Sequence, residues 1–337
     1  MKFRYPLWEY CRQANVNPSF LHLSCDDIDE FAEEIPALSV EPIQLSRGHL
    51  HIDLLSLDFG DVVVSEMNCN QQVADRIYID PSWLLVVFQR TLERWNSCEV
   101  PPNSLTLIRP DSDYRTLVPR GFRCSEVAIR ADLAEDIGLG RWLRLSKLPT
   151  VISLPRHTMR IAMRWLTNLL NKSESSGLLG LDPDGDAGRD RCLEFLCWLK
   201  EAVEPSEGGV NAFCPPRNLK RFDLVDAALQ IIDDTPIDSQ PSVTDLARIL
   251  CVSRRSLLNA FVDVLGTPPS RYLLARKLHF ARQGLKSGAS HTVTDAAFSC
   301  GFEHLSRFSA HYAILFGELP SITLKRPDRL SGALAAG

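Results

Sequence analysis

Alternating apolar and polar residues mark the N-terminal half of the chain. Residues 49–54 read His-Leu-His-Ile-Asp-Leu, which places Leu50, Ile52 and Leu54 on one face of an extended strand. Further short apolar runs, separated by turns that contain Gly or Pro, continue to about residue 130. The predicted strands are residues 44–57, 61–65, 83–89, 105–108 and 123–130. Short strands at this spacing predict a β-sandwich or a barrel.

Two later segments change to helical spacing. In residues 156–171 and 189–203, apolar side chains recur every three or four positions, which predicts two amphipathic helices. Two arrangements remain open for their apolar faces. They cover the open side of the β-rich domain, or they pair across a two-fold axis in a homodimer.

A segment rich in Pro and Gly, residues 205–218, follows these helices. We expect neither helix nor strand to run through it. Gly208-Gly209 would act as a hinge and Pro215-Pro216 as a short extended rod. The expected domains are 1–204 (β-rich, ending in two helices), 205–218 (linker), 219–326 (all-helical) and 327–337 (flexible tail).

The C-terminal part contains an internal repeat. Ser-Val-Thr-Asp-Leu-Ala at residues 242–247 returns as Thr-Val-Thr-Asp-Ala-Ala at residues 292–297. Each copy starts with a residue that can cap a helix and leads through a short turn into a second helix, which ends at a Gly. The predicted second helices are 254–265 and 304–316. Helix, turn and helix form a motif whose second helix enters the major groove of DNA.

The outer polar residues of these second helices suit base recognition, because Arg bonds guanine, Asn bonds adenine and Ser bonds either base. The candidates in the first copy are Ser253, Arg254, Arg255, Ser256 and Asn259. Those in the second copy are His304, Ser306, Arg307 and Ser309. A connecting helix at residues 270–286 would hold the two motifs at a fixed separation. Its cationic side chains are expected to reach phosphates: Arg271, Arg276, Lys277 and Arg282.

The charge distribution agrees with a nucleic-acid partner for the C-terminal part only. The formal net charge of the chain is −5. Residues 1–216 carry 22 Lys and Arg against 31 Asp and Glu, whereas residues 217–337 carry 15 against 11. Such an asymmetry is typical of a chain with one nucleic-acid-binding region.

The cysteines and the apolar runs indicate a cytoplasmic protein. The ten cysteines include no pair with C-x-x-C spacing, so we expect small, reduced core residues rather than a zinc cluster or a redox motif. No apolar run approaches the ~20 residues of a membrane span. The N-terminus lacks a signal-peptide core, so we expect no membrane association.

Residues 219–326 resemble the AraC/XylS-type transcriptional regulators. The residues that carry the resemblance are Val252, Ser253, Arg254, Arg255, Ser256, Leu257, Phe261, Leu265, Gly266, Pro269, Lys277, Leu278, Ala281, Arg282, Leu285, Asp295, Ala296, Ala297, Gly301, Phe302, Phe308, Tyr312, Phe316, Gly317 and Pro320. Residues 301–308 and 315–321 are also similar to the subgroup that contains ethanolamine-utilisation regulators. Glu303 departs from the family pattern. Its carboxylate would repel a nearby phosphate, so the second motif would contact DNA more weakly or read different bases.

The resemblance implies a cupin-like N-terminal domain that senses a small molecule and helps dimerisation. Trp83, Phe88 and Trp95 are candidates to line its ligand cavity. His49 and His51 have the spacing of a cupin metal pair, but the further ligands are missing from the expected intervals, so we expect no metal and no cofactor.

The sequence thus predicts an effector-responsive transcriptional activator that binds a double-stranded DNA operator, with RNA polymerase as a further partner. The N-terminal domain would dock on the DNA-binding domain or release it according to the ligand; a passive linker is the alternative. Two other functions remain open. An enzyme could carry an appended helix-turn-helix domain, although no catalytic signature appears. A non-specific architectural protein would bind all DNA sequences alike.

Overall fold

The computed structural model describes residues 19–28, 31, 38–95, 98–140, 143, 150–179, 185–203, 211–213 and 219–325. Within these ranges the N-terminal part is a β-sandwich and the C-terminal part is helical. None of the helices in these ranges is both long and apolar enough to cross a membrane. The expected tail at 327–337 lies outside the described residues.

The sandwich consists of two antiparallel sheets. Its strands are β1 (Ser19–Cys25), β2 (Leu38–Gln44), β3 (Ile52–Asp58), β4 (Val62–Cys69), β5 (Val73–Ile79), β6 (Trp83–Gln89), β7 (Glu93–Trp95), β8 (Cys98–Val100), β9 (Ser104–Ile108), β10 (Ser112–Val118), β11 (Phe122–Arg130), β12 (Thr150–Ser153) and β13 (Asn211–Phe213). The larger sheet has the order β1-β3-β4-β11-β6-β9-β12-β13, and the smaller sheet has the order β2-β5-β10-β7-β8.

Strand β6, inside the larger sheet, shows how the domain is layered. Its sequence Trp-Leu-Leu-Val-Val-Phe-Gln is buried along its whole length, because both faces of this strand are covered. Leu85 and Val87 join the core between the two sheets. Leu84, Val86 and Phe88 face the opposite way, into a second core beneath two helices.

Those two helices are α2 (Arg156–Leu179) and α3 (Gly185–Val203), which follow the short helix α1 (Ala131–Asp136). Their apolar faces pack on the larger sheet, where the ring centroids of Phe88 and Phe195 lie 6.1 Å apart. The helices therefore cover the sandwich, which is the first of the two arrangements that their pattern allowed. A homodimer stays a prediction. Helix α2 runs beyond the predicted end at 171, and α3 begins before the predicted start at 189.

The predicted strands are present, but the run at residues 44–57 is divided. Strand β2 ends at Gln44 and β3 begins at Ile52, with Gly48 at φ +110° in the corner between them. The predicted face of Leu50, Ile52 and Leu54 is buried in the inter-sheet core. The strands that the sequence pattern missed are β1, β2, β5, β7, β8, β10, β12 and β13.

Residues 205–218, through which we expected neither helix nor strand to run, include a strand of three residues. Strand β13 lies inside this segment and pairs with β12 at the edge of the larger sheet. An edge strand of three residues fits between Gly209 and Pro215, because its ladder needs only backbone donors and acceptors. The predicted hinge at Gly208-Gly209 and the rod at Pro215-Pro216 lie outside the described residues.

The C-terminal domain is a bundle of short helices around one apolar core. Its helices are α4 (Leu219–Asp233), α5 (Val243–Ile249), α6 (Arg254–Leu265), α7 (Pro269–Lys286), α8 (Val293–Ser299), α9 (Leu305–Phe316) and α10 (Pro320–Lys325), with a 3-10 turn at Ile237–Ser239. Leu257 and Phe261 of α6, and Phe308 and Tyr312 of α9, are fully buried in this core.

The two domains share this core and several hydrogen bonds. Leu45, Ala74 and Leu117 of the sandwich belong to the core of the helical domain. The backbone N–H of Gln44 donates to His279 Nε2 of α7 over 2.8 Å, and both groups are buried. The N–H of Gly48 donates to the carbonyl oxygens at the end of α9, which include that of Leu315 at 3.1 Å.

Ion pairs border the contact between the domains. Arg115 of β10 pairs with Asp226 and Asp233 of α4 at 3.0 and 3.3 Å. Asp27 pairs with Arg282 and Lys286 of α7 at 3.4 and 2.8 Å. The pairs of Asp27 are largely shielded from water, so solvent screens them less than pairs on an open surface, whereas Asp226 is half exposed and its pair is screened more.

Gly317, which ends α9, tests how closely the domains approach. It has φ +75°, and a Cβ at this position would lie 2.9 Å from the backbone nitrogen of His49. Gly288, after α7, has the same φ but open space around it.

We expect both the Gly317→Ala and the Gly288→Ala variants to lose about 1–2 kcal/mol of stability from the left-handed backbone. Only Gly317→Ala should also accelerate hydrogen exchange at the Gly48 N–H. Equal exchange in the two variants would contradict the close approach.

Candidate DNA-binding surface and ligand cavity

Local hydrogen bonds fix the first helix-turn-helix. Ser242 caps α5 by accepting from the N–H of Asp245, whose carboxylate accepts in return from the Ser242 N–H. At the end of α5 the N–H of Val252 donates to the carbonyl of Ala247 over 2.9 Å, and Cys251 has φ +54°. Ser253 then caps α6. The turn therefore fixes how α6 leaves α5.

The second motif repeats this turn. Thr292 caps α8, and the N–H of Phe302 donates to the carbonyl of Ala297 over 3.0 Å. Gly301, at φ +72°, takes the place that Cys251 has in the first copy. A difference lies at the start of the second helix, where His304 occupies the N-cap of α9 without a capping side-chain hydrogen bond. Its imidazole thus takes no part in the cap.

The predicted base-reading residues of the first motif lie on one exposed turn of α6. Ser253, Arg254, Arg255, Ser256 and Asn259 are all exposed. Among the described residues neither arginine has an ion-pair partner, whereas Ser253 and Ser256 bond each other over 2.8 Å. Two uncompensated guanidinium groups at this position form a donor surface of the kind that reads guanine edges.

The predicted residues of the second motif form a comparable surface on α9. His304, Ser306 and Arg307 are exposed, whereas Ser309 is half-buried. Glu303 is also exposed beside them. This surface therefore has fewer cationic groups than that of α6 and a carboxylate next to it.

The four cations predicted to contact phosphate on the connecting helix occupy different environments. Arg271 is exposed and Lys277 is half-buried. Arg276 donates to the carbonyl of Ile232 over 2.9 Å and pairs with Asp233. Arg276 is thus used to hold α7 against α4.

The structure corrects the interpretation of Arg282. This side chain is only 8% exposed, and its guanidinium bonds Glu318 over 2.7 Å and stacks on Phe316. It also pairs with Asp27 of the sandwich. A charge buried with carboxylate partners stabilises the packing here and is not presented to a phosphate in this arrangement.

The sandwich contacts the C-terminal ends of both recognition helices. Arg94 donates to the carbonyl of Asp263 near the end of α6 over 2.8 Å, and Gly48 bonds the end of α9. The N-terminal turns of both helices, which carry the candidate base contacts, remain exposed. Docking of the domains therefore leaves both candidate DNA surfaces uncovered by the sandwich.

A cavity of about 60 Å³ lies between the sheets of the sandwich. Its walls are mainly apolar, but three carboxyl groups from separate strands also line it: Asp75 of β5, Glu93 of β7 and Glu126 of β11. Thr116 donates to Asp75 over 3.3 Å, and the indole N–H of Trp95 donates to Glu93 Oε2 over 2.8 Å. Acidic side chains thus meet in the interior from both sheets.

Burial changes the protonation of these carboxyl groups. Removal from water raises the pKa of Asp75 to about 7 and that of Glu93 to about 8, against the hydrogen bonds from Thr116 and Trp95, which lower it. Burial also raises the pKa of Glu126. Of the two groups with a defined pKa, Glu93 is therefore mainly protonated at neutral pH, and Asp75 is protonated in about half of the molecules.

Trp95 is the one residue of the three predicted ligand contacts that lines this cavity. Phe88 points to the opposite face of the larger sheet, and Trp83 packs under the guanidinium of Arg130, 5.6 Å from its ring. Both predictions are thereby corrected. The three carboxyl groups were missed, although Asp75 shares the inward face of Val73 and Ile77 and could have been found from that alternation.

The His49 and His51 pair shows no grouping of metal ligands. His51 Nδ1 lies 2.9 Å from Asp26, and across the described residues no three His, Cys, Asp or Glu side chains are grouped so as to hold a metal ion. Of the cysteines in those ranges, Cys25, Cys69, Cys124, Cys192 and Cys300 are buried, as expected. Cys197 and Cys251 are exposed, which corrects the expectation of core positions for these two.

The C-terminal domain is similar in sequence to domains of known proteins. Residues 246–326 match a family model described as a helix-turn-helix domain. The XylDLEGF operon transcriptional activator of Pseudomonas putida is 40% identical over 87 residues, which cover 25% of this chain and 27% of the activator. The regulator ArgR of Pseudomonas aeruginosa is 39% identical over 82 residues, covering 24% of this chain and 25% of that protein.

A solved structure gives a similar match. A probable AraC family transcriptional regulator from Rhodopseudomonas palustris is 32% identical, and the match covers 31% of this chain and 96% of that chain with a TM-score of 0.29. This chain spans about a quarter of the length of the curated relatives described above.

The C-terminal part of the chain is a double helix-turn-helix domain. It is a domain of the AraC/XylS type, which confirms the resemblance seen in the sequence. The narrower similarity to ethanolamine-utilisation regulators stays a prediction.

The raised pKa of Glu93 makes the stability of the sandwich depend on pH. Between about 4.5 and about 8 the folded state keeps a proton that the unfolded chain has lost, so stability falls as the pH rises. We expect Glu93→Gln to melt at a higher temperature than the natural chain at pH 8, measured by calorimetry. The two curves should converge near pH 4.5, where the carboxyl group binds a proton in both states. A difference that does not change with pH would contradict this assignment.

Proposed function

We propose that this protein is a sequence-specific DNA-binding transcriptional regulator. The observation that carries the proposal is the pair of recognition helices whose first turns are exposed, with Arg254 and Arg255 in the first copy and Arg307 in the second. The partner is a double-stranded operator read in the major groove. The activator named among the relatives favours activation, with RNA polymerase as the protein partner. The protein acts in the cytoplasm and has no catalytic activity.

The two motifs contribute unequally to binding. The α6 surface, with its two unpaired arginines, makes the base contacts that define the operator. The α9 surface supplies Arg307 beside Glu303, whose carboxylate opposes a close phosphate. The second motif therefore contributes more to the affinity for DNA and to the position of the protein on it than to the discrimination between base sequences.

The sandwich senses a small molecule and acts on the DNA-binding domain through the contact between them. Its internal cavity supports ligand binding, and the shared core with the hydrogen bonds of Gln44 and Gly48 supports mechanical coupling. A ligand changes DNA binding to the extent that it binds the docked and released arrangements differently.

Replacing Arg255 tests the base contacts. A duplex selected by the full chain from a random pool serves as the specific site, and a scrambled duplex of the same composition serves as the reference. We expect Arg255→Ala to lose about 1–3 kcal/mol on the selected duplex and much less on the scrambled one.

Arg248→Ala provides the matched control for this experiment. Arg248 is an exposed arginine of α5 that pairs with Asp245, 2.9 Å away. This variant should bind the selected duplex as the natural chain does. Equal losses for Arg255→Ala on both duplexes would show that Arg255 contacts only the backbone.

Arg115→Ala tests the contact between the domains, because it removes the pairs with Asp226 and Asp233. We expect a larger radius of gyration by small-angle X-ray scattering and faster hydrogen exchange at the Gly48 N–H. Arg90→Ala is the control, since Arg90 pairs with Glu66 inside the sandwich. If both variants scatter as the natural chain does, these ion pairs do not hold the domains together.

A further inference from the structure

The cavity of the sandwich has an unusual charge pattern for an internal ligand site. Asp75, Glu93 and Glu126 line it, together with apolar side chains and a few hydroxyl groups. Among the described residues that line it there is no Lys, Arg or His. Within this part of the wall the three acidic groups therefore have no cationic partner.

Glu93 is the group least satisfied by the protein. Its side chain is 1% exposed, and its Oε2 accepts from the Trp95 indole. No described residue lies in hydrogen-bond geometry with its Oε1, although Gln89 is near enough to lower the pKa of the group. Buried carboxylate oxygens are normally paired, because a buried oxygen without a donor keeps the full cost of its removal from water. A donor from a bound molecule would satisfy this oxygen.

The other two carboxyl groups have weak partners within the protein. Asp75 accepts from the Thr116 hydroxyl at 3.3 Å, and Glu126 accepts from the Cys124 thiol at 3.4 Å. These groups approach the cavity from different strands, and each of them, when ionised, disfavours the ionised form of Glu93. One positive group with several N–H donors could satisfy all three.

The size and the walls of the cavity restrict the rest of the ligand. A volume of about 60 Å³ is room for about four or five water molecules, so the ligand has about as many non-hydrogen atoms. Phe31, Leu54 and Val63 are among the apolar residues of the wall. A short alkyl chain on a charged head group would fill this space.

We propose that the cavity binds a small primary amine in its ammonium form, held by Glu93, Asp75 and Glu126, with its alkyl chain against the apolar wall. This assignment rests on the proposed function of the sandwich as a sensor. An ammonium group has three N–H donors and the charge that the wall lacks. A carboxylate ligand of the same size is repelled, and an alcohol supplies a single donor and no charge.

The test compares three probes that share one alkyl chain: n-butylamine, 1-butanol and butyrate. Each is added at the same concentration and pH to the full chain, and the melting temperature and the calorimetric binding isotherm are measured. We expect n-butylamine to raise the melting temperature and the other two probes to leave it unchanged. Glu93→Gln should weaken binding of n-butylamine at least roughly tenfold.

A matched variant separates the cavity from general electrostatics. Glu66 lies on β4 and pairs with Arg90, and it is not among the residues that line the cavity. Glu66→Gln should bind n-butylamine as tightly as the natural chain. Asp75→Asn gives a second test within the cavity and should also weaken binding.

The outcomes separate this proposal from the proposed function. Binding of butyrate or 1-butanol in preference to the amine, equal binding of all three probes, or no binding of n-butylamine would overturn the ligand class. So would full binding of n-butylamine by Glu93→Gln. The ligand-free chain is tested in parallel on its selected duplex. Failure of that binding would overturn the DNA-binding function and leave the amine result standing.

Discussion

The bond between the Gln44 N–H and His279 joins the two halves of this molecule. The backbone donor lies at the end of an edge strand, where no further strand is available, and a buried donor must find an acceptor. His279 can accept only when it is neutral, and burial together with the nearby Arg282 lowers its pKa to about 3. The docked arrangement therefore favours the uncharged imidazole at physiological pH and weakens as the pH falls below about 6.5. The shared core of Leu45 and Leu117 depends on this alignment.

The second helices of both motifs and the helix that connects the motifs could be predicted to within one residue, because their boundaries depend on local chemistry. The caps at Ser242, Ser253 and Thr292 and the glycine ends at Gly266 and Gly317 act within one turn of the chain. The predicted second helix 254–265 coincides with α6 for the same reason. Hydrogen bonds between residues three or four apart leave little for distant contacts to alter.

The sandwich was less predictable because its strands are defined by partners far away in the sequence. β7 is only three residues long and has no clear signal of its own, yet it is held between β10 and β8. The acidic cavity was missed because a carboxylate in a strand usually indicates a solvent-facing position. Arg282 was misinterpreted for a related reason. A cation on an amphipathic helix favours an exposed site, and only the folded chain places Glu318 and Asp27 beside it.

The matched turns of the two helix-turn-helix copies also affect how the protein can evolve. The hydrogen bond from the Val252 N–H to the Ala247 carbonyl fixes the turn of the first copy, and the bond from the Phe302 N–H to the Ala297 carbonyl fixes that of the second. Neither bond uses a side chain that is predicted to read bases. The buried side chains of Leu257 and Phe308 anchor the second helix of each copy in the core. Mutations on one exposed turn can therefore accumulate without destabilising the fold and without altering the other copy. On the proposed function, the duplicated motif can acquire a new operator half by half, because one copy keeps its base contacts while the residues of the other copy change.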